Sequence, residues 1–464
     1  MPSAAIFASI HRAPRSCACS ERGSGLTKRL SPRSAIDSTP TTVQTTIREL
    51  VDVRAIGYEQ KPDPKPPRLL PMASFPLNTM VLNVTNQCNL ACTYCYEYGE
   101  DKIVDTEHGQ QSKFMSEATA RDSVEFLLKE SGPSQIAHLT FFGGETLLNF
   151  PVLQSTIAYA RQRAAEVGKT IDFSLTTNAT LLQARDHRVS RREPRRRDDL
   201  DGRPAASCRT SSACSTTAPA ATTSWRRRSR RCCGVTGSRP IGARVTLTSD
   251  TLDITRIYRH LTEEMRVLGS WLRAGHHLAD SSSTRLASRG STGCSPSSGR
   301  WPANSSSCVA ENRHHGFSNV KDTLEEIHKG VSKAYPCGAG LGLLGVSTDG
   351  DVALCHRFAG SDAHKLGTVR DGIDRDVQRA FLEQHHIDDK TDCSQCWARP
   401  LCSGGCYHEA HVRYGTTQRP NLHYCEWIRG WTDTCLQIYG ELSERNPEFL
   451  ARFDREEAKA EAVL

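Results

Sequence analysis

Residues 80–95 read Met80-Val-Leu-Asn-Val84-Thr-Asn-Gln-Cys88-Asn-Leu-Ala-Cys92-Thr-Tyr-Cys95, and they predict a strand and the loop that follows it. The apolar run from Met80 to Val84 is typical of a buried strand. The C-x3-C-x2-C loop lets three thiolates hold three irons of a [4Fe–4S] cube, which leaves the fourth iron open for chemistry. The alternative is a zinc loop, which usually needs four protein ligands in two close pairs. We favour the iron–sulfur interpretation.

A second motif follows the next predicted strand, residues 137–142, about fifty residues after the cysteine loop. It reads Gly143-Gly144-Glu145, in which two glycines let the backbone approach a ligand and the carboxylate can bind an ammonium group. Alone, the triplet is also typical of an ordinary turn. After a strand and behind the cysteine loop, it resembles the radical S-adenosylmethionine (SAM) superfamily. The resemblance implies that residues 143–145 bind the methionine amine of SAM and that Tyr94 lies near its adenine. Asn178, at the end of the third predicted strand, is included as a SAM contact.

Seven further cysteines lie in the C-terminal third, at spacings that include C-x2-C-x5-C-x3-C. They resemble the SPASM extension of peptide-modifying radical SAM enzymes, and the alternative is a zinc ribbon with scattered thiols. The resemblance implies three [4Fe–4S] clusters: one at the SAM site on Cys88, Cys92 and Cys95, one auxiliary cluster on Cys337, Cys355 and Cys406, and another on Cys393, Cys396, Cys402 and Cys425. Leu343 stands where some relatives have a cysteine, so the cluster of Cys337 is expected to have an open iron or a ligand other than cysteine.

Two internal stretches do not read like a folded enzyme. Residues 185–240 contain fifteen arginines and no lysine, and residues 267–308 contain twelve serines. They are interpreted as disordered insertions, as a nucleic-acid-binding patch, or as out-of-frame translation. We favour the last, because the composition changes abruptly at both ends. We find no strand in residues 185–240 and no final barrel strand after residue 266, and we therefore predict low or no activity for the chain as written.

Elsewhere, strands and helices alternate, as a parallel barrel requires. Strands are predicted at 80–84, 137–142, 171–177 and 241–248, and helices at 116–130, 150–167 and 254–265. We predict an α/β fold: a partial (β/α)6 TIM-like radical SAM barrel, disrupted at 185–240 and 267–308, with a C-terminal SPASM iron–sulfur domain. The domains are an N-terminal segment 1–71, interpreted as the remnant of a peptide-recognition domain, a barrel 75–308, a SPASM domain 309–440 and a tail 441–464.

Three longer sequence segments point to one group within the superfamily, namely residues 312–320, 334–342 and 425–431. They are similar to the radical SAM maturases of quinohemoprotein amine dehydrogenase. This implies an enzyme that forms intra-peptide thioether crosslinks from Cys to Asp or Glu in the dehydrogenase small subunit, by way of a 5′-deoxyadenosyl radical. It also implies an external one-electron reductant. The alternatives are a formylglycine-forming enzyme like the anaerobic sulfatase maturases, and a non-catalytic iron–sulfur or peptide-binding protein.

No catalytic base is identified by a motif. His356, Asp392 and Glu409 lie beside cluster cysteines, and each is as well explained by a hydrogen bond to a cluster sulfur as by a role in proton transfer.

Charge and hydropathy argue against a nucleic-acid-binding protein and against a membrane-spanning protein. Residues 185–240 carry a net charge of +10 within a chain of +7, so the rest is slightly acidic and we expect no nucleic-acid partner. No apolar run is long enough to span a membrane. Iron–sulfur clusters suit a reducing compartment, so we expect a cytoplasmic protein.

Overall fold

The computed structural model describes residues 75–92, 95, 112–181, 208–210, 241–247, 269–274 and 318–461, together with the single residues 48, 257, 260 and 261. The N-terminal segment 1–71 therefore lies outside the described residues, apart from Arg48. The helix predicted at 254–265 is described only at Ile257, His260 and Leu261.

Within the described residues, ten strands form a single sheet. Their bounds are β1 Thr79–Thr85, β2 Ile136–Gly143, β3 Thr170–Thr177, β4 Cys208–Thr210, β5 Ile241–Leu247, β6 Gly269–Ala274, β7 Leu343–Val346, β8 Asp351–Ala353, β9 Lys365–Thr368 and β10 Gly372–Ile373. The order across the sheet is β10-β9-β8-β7-β1-β2-β3-β4-β5-β6. Strands β1 to β6 pair in parallel, β7 pairs in parallel with the other edge of β1, and β8 to β10 continue antiparallel. The carboxyl ends of β1 to β6 therefore meet at one edge, where ligands of α/β sheets bind.

Eight helices accompany the sheet in the described part of the chain. Their bounds are α1 Glu117–Glu130, α2 Phe150–Glu166, α3 Ser318–His328, α4 Arg375–Gln384, α5 Arg399–Cys402, α6 Tyr407–Tyr414, α7 Leu422–Arg445 and α8 Pro447–Glu461. Helix α1 begins after Ser116, whose hydroxyl accepts a hydrogen bond from the backbone N–H of Thr119. No helix among these is long and apolar enough to cross a membrane.

Two hydrophobic clusters hold the layers together. In the first, α1 and α2 cover β1 to β3, and apolar residues of β7 and β8 join the same core. In the second, α3, α7 and α8 pack against β5, with Leu324, Trp431 and Phe453 among the buried side chains. Residues 441–464, which we set apart as a tail, contain the end of α7 and the helix α8, and α8 is part of this second core. Cys435 is completely buried there, as expected for a small apolar residue.

The predicted fold class is confirmed: the molecule is an α/β protein with an open sheet, consistent with a partial TIM-like barrel. The predictions for β1, β2, β3, β5, α1 and α2 agree with the observed bounds to within a few residues.

Two predictions about strands are wrong. The structure places β4 inside residues 185–240 and β6 after residue 266, where we found none. Strand β4 has only three residues and gives no periodicity to detect, and both strands are specified by parallel pairing with the neighbouring backbone. The pairing of β7 with β1 was not predicted either, because it joins residues more than 250 positions apart.

The second core generates a test of the way the C-terminal helices dock. Leu324 of α3 is completely buried, whereas Val377 of α4 is 46% exposed. We expect Leu324→Ala to lower the free energy of unfolding by about 2–5 kcal/mol, because the cavity adds to the lost transfer free energy. Val377→Ala should cost less than about 0.5 kcal/mol. Urea unfolding followed by circular dichroism measures both, and equal losses in the two variants would contradict the docking of α3.

Candidate functional site

The glycine turn after β2 is joined to the end of β1 through the backbone. The N–H of Gly144 donates to the carbonyl of Thr85 at 2.9 Å, and the N–H of Glu145 donates to the carbonyl of Gln87 at 2.8 Å. Gly143 has a φ of +130°, and a Cβ there would overlap the carbonyl oxygen of Thr85. Only glycine allows this approach. The turn therefore lies directly beside the start of the loop that carries Cys88.

The carboxylate of Glu145 faces the interior. Its side chain is fully buried, and Oε1 accepts from the hydroxyl of Thr177 at 2.6 Å and from the N–H of Leu147 at 3.0 Å. Oε2 accepts from the N–H of Asn178 at 2.8 Å. Burial raises the pKa of Glu145, and these three hydrogen bonds oppose that rise. The carboxylate thereby ties the end of β2 to the end of β3. Its binding of an ammonium group stays a prediction.

Asn178 connects β3 with the cysteine loop. Its side-chain amide donates to Asn89 Oδ1 at 2.9 Å and lies 3.8 Å from Cys88 Sγ. Asn89 in turn donates to the hydroxyl of Thr180 at 2.8 Å. The sequence-predicted residues Gly143, Gly144, Asn178 and Cys88 are thus brought together at the carboxyl ends of β1, β2 and β3. Tyr94 lies outside the described residues.

The three loop cysteines fit a metal cluster by their exposure and donor chemistry. Cys88, Cys92 and Cys95 are all partly exposed, and the N–H of Cys95 donates to the carbonyl of Cys92 at 3.0 Å, which closes the loop on itself. Gly143 and Gly144 beside them are half-buried, so the backbone of the turn is reachable from the same side. Thiols on a tight loop, next to an accessible glycine turn, are suitable for a cluster and a ligand bound against it.

The seven C-terminal cysteines separate into two electrostatic groups. In the first group, burial together with the nearby thiols of Cys406 and Cys337 raises the pKa of Cys355 to about 12. In the second group, burial raises the pKa of Cys393 to about 11, with contributions from Cys402, Cys425 and Cys396. The electrostatic neighbours of Cys355 and of Cys393 are thus cysteines of the respective sets that the resemblance implied, and the assignment of these sets to clusters stays a prediction.

Cluster binding must overcome these raised pKa values, because thiolates and not thiols bind iron. In the described part of the chain, no three His, Cys, Asp or Glu side chains are arranged to hold a bare metal ion.

Basic side chains beside the thiols were missed from the sequence. Arg357 Nη1 lies 3.8 Å from Cys406 Sγ, and Arg357 lowers the pKa of Cys355. A hydrogen bond from Arg429 lowers the pKa of Cys425. Lys390 opposes the rise in the pKa of both Cys393 and Cys402. Each lies two to four positions along the chain from a cysteine, but this spacing alone does not identify a contact with the thiol.

The three candidate bases differ in their surroundings. The His356 ring lies 4.6 Å from the ring of Phe142, the residue before the glycine turn. Glu409 is buried and pairs with Arg357 at 3.4 Å. Asp392 is exposed and lies 3.9 Å from Arg419. Of the three, His356 is therefore the one placed against the strand that carries the glycine turn.

A mixed α/β fold with an open sheet, and with loops converging at the carboxyl ends of its parallel strands, matches the fold of radical SAM enzymes. Residues 82–192 match the model of the Radical SAM superfamily, and this span includes the cysteine loop and the glycine turn.

Comparison with particular proteins gives partial matches in sequence. A protein of Methanocaldococcus jannaschii, named as uncharacterized, is 32% identical over 103 residues, covering 22% of this chain and 31% of that protein. The serine-type anaerobic sulfatase-maturating enzyme of Bacteroides thetaiotaomicron is 35% identical over 107 residues, covering 23% of this chain and 25% of that enzyme. The chain thus matches less than a third of the length of either curated relative.

Solved structures match over a longer span. The structure of anSMEcpe with bound AdoMet (SAM) has a TM-score of 0.62 at 16% identity, covering 82% of this chain and 98% of that one. The structure of anSMEcpe with AdoMet and the Cp18Cys peptide has a TM-score of 0.55 at 16% identity, covering 82% and 99%. At this identity, the similarity shows the fold.

The internal position of Glu145 can be tested by an isosteric change. In Glu145→Gln, an amide NH2 would face hydrogen-bond donors, so we expect a loss of about 1–3 kcal/mol in the free energy of unfolding. Glu117→Gln, at an exposed position on α1, should cost less than about 0.5 kcal/mol. Denaturant titration of the two variants measures the difference. If Glu145→Gln were as stable as Glu117→Gln, the three hydrogen bonds would not form in solution.

Proposed function

We propose that the chain is a radical SAM enzyme that modifies a peptide or protein substrate. The convergence of the cysteine loop with the glycine turn, through the hydrogen bonds from Gly144 and Glu145 to the end of β1, carries this proposal. Cys88, Cys92 and Cys95 would hold the cluster at which SAM binds, and Gly143, Gly144, Glu145 and Asn178 would bind SAM itself. Tyr94 is proposed to lie near the adenine.

When bound, SAM and the clusters supply a 5′-deoxyadenosyl radical that takes a hydrogen atom, and acceptors for an electron. The chain's own residues position them. The buried Glu145 carboxylate fixes the ends of β2 and β3, and Asn178 holds the cysteine loop against them. An external one-electron reductant is required. We propose a cytoplasmic location, because a reducing compartment preserves such clusters.

A peptide is the substrate class that we favour. The seven C-terminal cysteines form two groups suited to two auxiliary [4Fe–4S] clusters, as in the SPASM extension of peptide-modifying enzymes. The neighbour anSMEcpe has been solved with a bound peptide, which supports the same class here. We expect no nucleic acid and no membrane among its partners.

The specific reaction that we propose is the formation of Cys-to-Asp/Glu thioether crosslinks in the small subunit of quinohemoprotein amine dehydrogenase. Each C–S bond removes one hydrogen atom, one proton and one electron from the substrate. His356 is the best-placed of the three candidate bases for the proton. If the cluster of Cys337, Cys355 and Cys406 has an open iron, it could bind the substrate thiolate and lower its pKa.

A second reaction is favoured by one observation. The match to the serine-type anaerobic sulfatase-maturating enzyme covers about a quarter of each chain and supports oxidation of a Ser or Cys to formylglycine. We keep it as the alternative.

The low activity predicted for the chain as written stays a prediction. It was motivated by two missing strands, and β4 and β6 are present at those places, so it now rests on the composition of residues 185–240 and 267–308. We expect little or no formation of 5′-deoxyadenosine by the chain as written.

Cluster content tests the assignment of the cysteine loop. After anaerobic reconstitution with iron and sulfide, replacing Cys88, Cys92 and Cys95 together by alanine should remove about a third of the iron, since one of three clusters is lost. It should also abolish SAM-dependent formation of 5′-deoxyadenosine. Cys435→Ala, which changes a buried cysteine outside both arrays, is the matched control and should leave both unchanged. Uptake of zinc in place of iron and sulfide would contradict the proposal.

Product analysis separates the two reactions. After anaerobic incubation with the dehydrogenase small subunit, mass spectrometry should show the loss of two hydrogens per crosslink and of one iodoacetamide-reactive thiol. A formylglycine product would instead react with a hydrazide probe for aldehydes. A product that reacts with the hydrazide at a former serine, contains no crosslink and keeps all its thiols would support the alternative.

A further inference from the structure

Lys390 is buried immediately before the second group of C-terminal cysteines. Only 3% of it is exposed, and its carbonyl accepts a hydrogen bond from the N–H of Cys393 at 2.9 Å. Lysine is rarely buried this completely unless its charge is paired. A negatively charged partner is therefore expected near the ammonium group of Lys390.

The loop 402–406 brings the two cysteine groups next to this lysine. Cys402 belongs to the second group and Cys406 to the first. Between them, Ser403, Gly404 and Gly405 all have positive φ values, of 51°, 86° and 75°. This conformation folds the loop tightly.

The Lys390 side chain lies against the middle of that loop. A Cβ at residue 404 would be only 2.8 Å from Lys390 Nζ and 2.6 Å from its Cδ. The ammonium also lies 5.0 Å from the ring centroid of Tyr407, the residue after Cys406. The ammonium group of Lys390 therefore lies between the two ends of the loop. One end supplies Cys402 to the second group, and the other supplies Cys406 to the first.

The electrostatic neighbours of Lys390 agree with this geometry. Burial lowers the pKa of Lys390, and four thiols raise it: Cys393 and Cys402 of the second group, and Cys337 and Cys406 of the first. His385 is the other titratable group that senses its charge. A [4Fe–4S] cube together with its thiolates carries a net negative charge, so a buried ammonium between two such cubes is paired with both.

We infer that Lys390 is a positioning residue shared by the two auxiliary clusters, whose ammonium compensates the charge of both and makes both easier to reduce. The inference rests on the proposed function, since it assumes that the two cysteine groups hold clusters. Net charge near a cluster is one of the determinants of its reduction potential. A positive charge common to both clusters would favour their acceptance of the electron that leaves the substrate.

The test is a redox titration of the reconstituted full-length protein, followed by electron paramagnetic resonance. Lys390→Met keeps the length of the side chain and removes the charge, so the midpoint potentials of both auxiliary clusters should shift to more negative values. Lys390→Arg keeps the charge and should remain close to the wild type. Lys329→Met, which removes a lysine paired with Glu325 on α3, is the control and should shift neither potential.

Iron content is measured first, so that the outcomes can be separated. If Lys390→Met and Lys390→Gln lose auxiliary iron while Lys390→Arg retains it, the charge is required to hold the clusters and the inference is supported. If all three lose iron, the shape of lysine matters and not its charge, which overturns the inference. Unchanged potentials, or a shift at one cluster only, would overturn it too, with the proposed function left intact. A wild-type protein that takes up no iron at the C-terminal cysteines would overturn both.

Discussion

The close approach of two backbones at Gly143 determines the arrangement of the whole site. Because this residue has no Cβ and adopts a φ of +130°, the chain can turn directly over the carbonyl of Thr85. The next two N–H groups then bind the last carbonyls before the cysteine loop. The ends of β1 and β2 are thereby fixed to each other by backbone atoms alone. Any ligand held by the loop must lie beside the glycine turn.

The Glu145 carboxylate extends this constraint to β3. Two of its three donors, the hydroxyl of Thr177 and the N–H of Asn178, lie more than thirty residues further along the chain, so only the folded sheet brings them to it. Since Asn178 also contacts the cysteine loop through Asn89, one buried acid indirectly positions three loops.

The predictability of the fold follows the strength of local signals. Strands β1 to β3 and helices α1 and α2 were found because long apolar runs and helical periodicity are local properties. Strands β4 and β6 lie in sequences without such signals and are specified by their neighbours in the sheet. The attachment of β7 to β1 has no local signal at all. Among site residues, the cysteines were found by spacing, whereas Arg357 and Lys390 could be identified only by their contacts.

The basic residues around the C-terminal thiols have a physical consequence for cluster loading. Burial holds the pKa of Cys355 near 12 and that of Cys393 near 11, so both are protonated thiols until metal binds. Loading must expel these protons and place several negative charges in a region of low dielectric. Arg357 and Lys390 are already fixed beside those thiols by the fold, so part of the compensating charge is present before the metal arrives. The C-terminal region is thus preorganised for anionic clusters, which a neutral cysteine-rich core would not be.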